Sequence, residues 1–419
     1  MSKTQTFVIV GAGLAGAKAA EALRKEGFDG RILLIGSEDA SPYNRPPLSK
    51  GYLRGERARA TILVSQEEFY SENDIELLLS TRVTALSADP AQLETDSGRI
   101  LKYDRLLLAT GARPRTLKVA GGNLAGIHYL RTVADADRLR ERIQSATRLA
   151  VVGAGWIGSE VAASARQMGI DVVLLHPRAT PLEKVLGPEV GGVFRTLHAE
   201  HGVELRPHTR IESFVGNSTV EGVRTTTGEV IPADLVLAGI GVEPRTELAE
   251  RAGLRVGDGI VVDERLRTGD PAIFAAGDVA SAWHPIYNRR LRVEHWANAI
   301  YQGATAARNM LGHDEVYDRV PNFFSDQYDL SIEYLGHSGE SDGMAFRGDP
   351  ASRTFLAFWL QDGRVVAGMN CGFRRVHDPI EALIRSRRRV STEELADPEI
   401  PLEQIAEGRR HDQASTALR

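Results

Sequence analysis

Short unbroken apolar runs, each followed by a stretch of alanine and leucine at helical spacing, dominate the chain up to about residue 320. Residues 6–10 predict a strand, 14–26 a helix and 31–36 a second strand. Continuous apolar runs of this length suit strands covered on both faces, and strand–helix–strand alternation predicts parallel sheets. A short strand is expected around residues 82–84, and a buried strand over 103–109 ends at a glycine turn. The plan then repeats, with a strand at 149–152, a helix at 157–168, a strand at 171–175, a helix near 189–201 and a buried strand within 234–241. Residues 272–276 read as a strand returning to the first unit, which places Asp278 at a helix N-terminus. Beyond about residue 320 the pattern changes to short alternating strands, at 330–335 and 354–360, and predicts a smaller α+β domain.

The two strand-to-helix transitions carry the same glycine spacing. The first holds Gly11, Gly13 and Gly16, and the second Gly153, Gly155 and Gly158. In a G-x-G-x-x-G turn the first glycine permits the tight bend, the second admits a pyrophosphate close to the backbone, and the third lets helix and strand pack. The helix start then offers N–H groups and a positive dipole end to the phosphates. One such motif is weak evidence; two in matching context imply two dinucleotides and an electron relay. An acid about 20 residues after the fingerprint should meet the adenosine ribose, and Glu38 fits, with Ser37 beside it. The plain alternative for Glu38 is a solvated loop carboxylate. The proline-stiffened loop of residues 42–51 presents Arg45 and Lys50 at fixed positions.

Composition narrows the chemistry. With 42% hydrophobic and 26% charged residues and a net charge of −5, the chain gives no general reason to bind nucleic acid or an anionic membrane. No apolar stretch approaches the ~18 residues of a membrane span, and the first strand comes too soon after the start for a signal peptide, so a cytoplasmic protein is expected. The single cysteine, Cys371, excludes an intrachain disulfide, a cysteine-ligated cluster and a C-x-x-C redox pair. Electrons must therefore travel on bound organic cofactors, and no metal is expected. Cys371 lies in an apolar stretch and reads as a core residue.

Five further segments, Arg45–Lys50, Tyr103–Gly111, Ala276–Asp278, Glu294–Asn298 and Phe324–Tyr328, complete a pattern that resembles the FAD-dependent ferredoxin reductases of oxygenase systems, from Phe7 to about Glu407. The resemblance implies an α/β fold with two Rossmann-like dinucleotide-binding domains of glutathione-reductase type and a small C-terminal α+β domain. The expected boundaries are 1–114 with 246–319 for FAD, 115–245 for NAD(P)H, 320–408 for the C-terminal domain, and 409–419 for a flexible tail. For FAD it implies Gly11, Gly13, Ala15 and Gly16 at the pyrophosphate, Ser37 or Glu38 at the ribose, and Arg45 and Lys50 toward the flavin. Val83, Ala109, Thr110, Gly111, Arg131, Asp278 and Trp296 complete that set. For NADH or NADPH it implies Gly153, Gly155, Ile157, Gly158 and Glu160, with His176 and Arg178 after the second strand. A glutamate at the Glu160 position approaches the flavin and pairs with the lysine at the Lys50 position, so these two are the expected catalytic residues. The implied acceptor is an iron–sulfur ferredoxin or rubredoxin that serves a haem monooxygenase or ring-hydroxylating dioxygenase. The competing reading is a redox-sensing or interaction flavoprotein resembling apoptosis-inducing factor, with slow acceptor turnover.

Several positions have a bland alternative. Glu160 would otherwise be an exposed helical carboxylate, and Asp278 a plain N-cap. His176 and Arg178 stand where NADH-preferring relatives carry an acid; they remove repulsion toward a 2′-phosphate, or are simply solvated. Pro321–Phe324 lacks two tryptophans present in a family member, which removes any expectation of tryptophan-mediated transfer. Ser37 replaces an acid seen in some relatives. The basic run Arg385–Arg389, with Arg374 and Arg375, would steer an acidic partner or form a solvated face.

Overall fold

Glycine turns and β-branched runs produce two parallel sheets in the computed structural model, which describes residues 5–339 and 341–408; the expected tail lies outside the described residues. The chain divides into two compact units. The first comprises 1–47, 57–113 and 242–319; the second comprises 48–56, 114–241 and 320–419.

In the first unit the strands Ile273–Ala275, Arg105–Leu108, Thr6–Val10, Arg31–Ile35 and Ile75–Leu78 lie side by side in that order, all parallel. The central strand pairs Thr6 with Arg31 and Phe7 with Arg105. Its residues Phe7–Val10 are buried, as a central parallel strand covered on both faces requires. Leu14–Lys25 is the helix of the first motif, and its small residues admit the helix Trp296–Met310 at close range. A Cβ at Gly303 would lie 2.3 Å from the Ala15 carbonyl oxygen, so glycine is required at this crossing. An antiparallel sheet from Val83–Ser87 with its neighbours and a mixed sheet around Gly259–Val262 add to the unit.

The second unit repeats the parallel plan. Its strands run in the order Glu204–Arg206, Asp171–Leu175, Arg148–Val152, Leu235–Ala238 and Ile127–His128. The motif helix is Trp156–Gln167. The helix expected near 189–201 starts at Pro188, and Gly187, with φ of 82° and non-helical backbone, separates it from a short helical turn that begins at Glu183. Five antiparallel strands form the sheet of the alternating region, in the order Asn322–Gln327, Leu330–Gly336, Arg364–Cys371, Thr354–Gln361 and Gly343–Asp349. Three short helices come after it. Cys371 is buried, and burial pushes its thiol up to about 11; the sulfur donates to the Arg353 carbonyl.

One local expectation fails. Asp278 does not begin an α-helix. Gly277–Val279 is a single 3₁₀ turn, and Ala280–His284 continues as a strand, because this segment pairs with Gly259–Val262 on one side and Arg289–Leu291 on the other. A helix dipole and an N-cap role are both excluded at this position.

Candidate functional site

Each glycine motif forms a bed with one open place. At Gly11, φ is +117° and a Cβ would lie 2.0 Å from the Ala109 carbonyl oxygen; at Gly153, φ is +103° and the corresponding oxygen, of Gly239, is 2.4 Å away. A Cβ at Gly16 or Gly158 would lie 2.0 or 1.9 Å from the carbonyl oxygen of Gly11 or Gly153, so only glycine lets the helix pack this closely on the turn. At Gly13 and Gly155, by contrast, a Cβ would meet nothing within 4 Å. These two residues are also the helix N-caps, and neither supplies a side-chain cap. The first turns hold no acid. Open space beside uncapped, acid-free N–H groups is what a pyrophosphate needs. The fit holds for both motifs.

Beyond the first bed, Glu38 is drawn into a cluster rather than standing free. The Tyr43 hydroxyl donates to Oε2 at 2.6 Å and Arg45 Nη2 to Oε1 at 3.0 Å. The Arg45 guanidinium also lies over the Tyr43 ring, 5.2 Å from its centroid. Burial works against the charge on Arg45, but Tyr43, Glu38 and Asp278 outweigh it and hold the guanidinium above its ordinary value. Asp278 thus belongs to the same electrostatic neighbourhood as Arg45 and Glu38. Ser37 is exposed beside them. Asn44 fixes Trp296, accepting from the indole Nε1 at 2.7 Å while its own amide donates to the Ile62 and Leu63 carbonyls. Thr110 donates to the Arg245 carbonyl at 2.8 Å, and Gly111 accepts from Arg245 N. Ala109 N donates to Val10, which holds this turn against the first motif. Val83 is half-buried against the core.

In the second unit Glu160 is buried, not an exposed helical carboxylate. Lys50 Nζ reaches its Oε2 at 2.7 Å, with 12% and 6% of the two side chains exposed. Ser49 donates to the same oxygen at 2.5 Å, and Ser325 donates to Oε1 at 2.7 Å. Ser164 anchors the loop by donating to the Ser49 carbonyl. Ile157, at the start of the motif helix, is 43% exposed. Arg131 precedes the helix Val133–Ser145 and donates its backbone N–H to Asp135. Lys50 and Arg131 both belong to this unit, not to the one that carries the first motif.

His176 and Arg178 differ from each other. The His176 ring is buried, and burial pushes it below its ordinary value. Burial thus works against a cationic ring here, and Arg178 is the more accessible member of the expected pair. Arg178 is half exposed and lies 3.5 Å from Glu183, whose other oxygen accepts from Thr180 N.

Sequence reasoning missed Tyr43, Asn44, Ser49, Ser325, Gln327 and His198. Ser325 and Gln327 are buried while Asp326 between them is exposed. Beside the place of these two residues in the segment Phe324–Tyr328, that period-two placement of polar residues was the signal. His198 Nε2 lies 3.0 Å from Gln327 Oε1, and burial pushes the ring down to about 4. Among the described residues no cluster suits a metal ion, and no helix is long and apolar enough to cross a membrane.

Comparison with known proteins agrees with this geometry. Residues 5–303 match the pyridine nucleotide-disulphide oxidoreductase family, and residues 322–406 match the reductase C-terminal domain. Putidaredoxin reductase of Pseudomonas putida is 39% identical over 416 residues, 97% of each chain. The ferredoxin–NAD(+) reductase component of the anthranilate 1,2-dioxygenase system of Burkholderia cepacia is 42% identical over 403 residues, 94% of this chain and 98% of that one. The covalent putidaredoxin reductase–putidaredoxin complex superposes with a TM-score of 0.92 at 38% identity, covering 96% of this chain and 98% of that chain. With one family match spanning most of its length and relatives matched nearly end to end, the chain belongs to the pyridine nucleotide-disulphide oxidoreductase family, in the ferredoxin reductase branch that carries a reductase C-terminal domain.

Proposed function

We propose that this protein is an FAD-dependent NAD(P)H:ferredoxin oxidoreductase that delivers electrons to a small iron–sulfur protein serving an oxygenase. The observation that carries the reading is the pair of glycine beds, each with open space at its middle glycine and an uncapped helix start. Two such beds suit FAD and a nicotinamide nucleotide. Despite the family's name, disulfide chemistry has no counterpart here, since Cys371 is the sole cysteine and is buried. Bound FAD supplies the exchange between a two-electron hydride donor and one-electron carriers.

The chain's own residues bind and orient. Gly11, Gly13 and Gly16 hold the FAD pyrophosphate, with Ala15 beside them; Glu38 and Ser37 serve the adenosine side. Arg45 is kept charged by Tyr43 and Glu38 and faces the flavin side together with Asp278 and Trp296. Lys50 and Glu160 form a buried ion pair that sets the local field without offering a nucleophile. Gly153, Gly155 and Gly158 take the nicotinamide nucleotide, with Ile157 providing an apolar contact.

Either nicotinamide nucleotide is accepted in this reading, because the strand Asp171–Leu175 ends at a buried histidine instead of an acid, with Arg178 beyond it. The domain boundaries expected from the resemblance and a cytoplasmic location are parts of the same proposal. The slow-turnover alternative is not the one the full-length relatives support. Purified protein should be yellow and reduce cytochrome c with NADH or NADPH only when a ferredoxin is added. A colourless protein that takes up no FAD would refute the function; strict rejection of NADPH would refute the nucleotide assignment alone.

A further inference from the structure

Glu160 Oε1 heads a single file of hydrogen bonds that runs through Ser325, Gln327 and His198 to Tyr328. A carboxylate only accepts, and that fixes the direction of the whole file. Ser325 gives its one hydrogen to Glu160, at 2.7 Å. Its oxygen is then an acceptor for Gln327 Nε2, at 3.4 Å. The amide is thereby oriented with Oε1 toward His198, whose Nε2 at 3.0 Å must carry a hydrogen. That tautomer leaves Nδ1 as the acceptor facing the Tyr328 hydroxyl at 3.5 Å. Every donor points toward Glu160. The far end is braced as well, because the His201 ring stacks on Tyr328 with centroids 3.7 Å apart and planes 13° from parallel.

The file is buried and its members come from distant parts of the chain. Ser325, Gln327 and His198 are 2%, 1% and 0% exposed. Buried polar groups cost stability unless every partner is present, and a fully connected network fixes one arrangement. The lower oxygen of Glu160, Oε2, is held by Lys50 and Ser49. The upper one, Oε1, has Ser325 as its hydrogen-bond donor, so the rotation of the carboxylate depends on this hydroxyl.

We propose that Ser325, Gln327 and His198 are positioning residues that lock the Glu160 carboxylate, and through it the Lys50 ammonium, from the C-terminal sheet. The proposal rests on the local field that the proposed function assigns to the Lys50–Glu160 pair. Without the Ser325 hydroxyl, Oε1 is a buried acceptor lacking that donor, and the carboxylate turns to seek another. The ammonium moves with it.

The test uses holoenzyme of the natural sequence, Ser325→Ala and Ser325→Thr, and monitors NADH-driven bleaching of the flavin absorbance in anaerobic stopped flow. Ser325→Ala is expected to slow bleaching about tenfold, the effect of one buried acceptor left unmet, with FAD content unchanged and the flavin midpoint potential displaced. Ser325→Thr, which keeps the hydroxyl, restores both. Nitrogen-15 NMR of the natural sequence should show His198 as the Nε2–H tautomer. Natural rate and potential in Ser325→Ala, a loss that Ser325→Thr fails to restore, or an Nδ1–H tautomer would each overturn the proposal. The tautomer is read without any variant and without turnover. A natural-sequence protein that binds no FAD would refute the proposed function, while the tautomer would still decide for or against the file.

Discussion

With one oxygen on Lys50 and Ser49 and the other on Ser325, the Glu160 carboxylate has little access to solvent when a partner is removed. Losing one member of a buried pair strands the other, whereas replacing both with apolar groups is often tolerated. Lys50→Met is therefore expected to destabilise the protein by about 3 kcal/mol, and Lys50→Met with Glu160→Leu by clearly less. Thermal unfolding of the two proteins at equal FAD loading measures this; equal losses would mean that the pair is not an isolated buried unit. His198 makes a second residue-scale prediction. Its ring binds a proton less readily when folded, at about 4, than in an unfolded chain, near 6.5. The unfolded state therefore takes up the extra proton first. The resulting stability is complete above about pH 6.5 and is lost as pH falls toward 4, by on the order of 3 kcal/mol. His198→Gln should flatten the pH dependence of the unfolding temperature across that window; an unchanged slope would show that the ring does not stay neutral.

The two motif helices make their case as elements. Gly11 and Gly153 hold backbone conformations that disfavour side chains, and Gly16 and Gly158 have no room for one, so alanine there should damage folding. Gly13 and Gly155 have the room. Gly13→Ala should leave the fold intact and weaken FAD retention about 100-fold, whereas Gly155→Ala should raise the NADH KM by a similar factor and leave FAD in place. Flavin absorbance after gel filtration and steady-state kinetics separate the two; FAD loss in Gly155→Ala would contradict the assignment. These elements are legible in the sequence because the glycine spacing and the apolar runs are local signals. Gly187 and Pro188 mark the start of the helix expected near 189–201, and only the short helical turn before them, from Glu183, went unread. Asp278 departs from expectation for a different reason. The turn at Gly277–Val279 resembles a helix start, but pairing of the next residues with Gly259–Val262 and Arg289–Leu291 makes them a strand. The file from Glu160 to His198 joins residues separated by 165 and 129 positions, and no local pattern reports such a meeting.

At the scale of the whole molecule, charge is mildly negative, at −5, yet the C-terminal region concentrates cations. Arg374, Arg375, Arg387, Arg388 and Arg389 are exposed. Arg385, also exposed, is paired with Glu381 at 2.7 Å on the helix His377–Ser386. Against a net-negative background, a cluster of this kind steers an acidic partner and orients its approach more than it adds to the strength of the final complex. The alternative, a solvated face, predicts no partner effect at all. Reversing Arg388 and Arg389 to glutamate should lower kcat/KM for an acidic ferredoxin about tenfold at low ionic strength, and the deficit should shrink as salt is added, because screening removes what the substitution removed. Reduction of a neutral dye draws on the same flavin but needs no docking, so it should not change. A ferredoxin rate that is insensitive to both substitutions and salt would place the acceptor elsewhere on the protein. A parallel fall in dye reduction would show instead that the substitutions disturb the C-terminal fold.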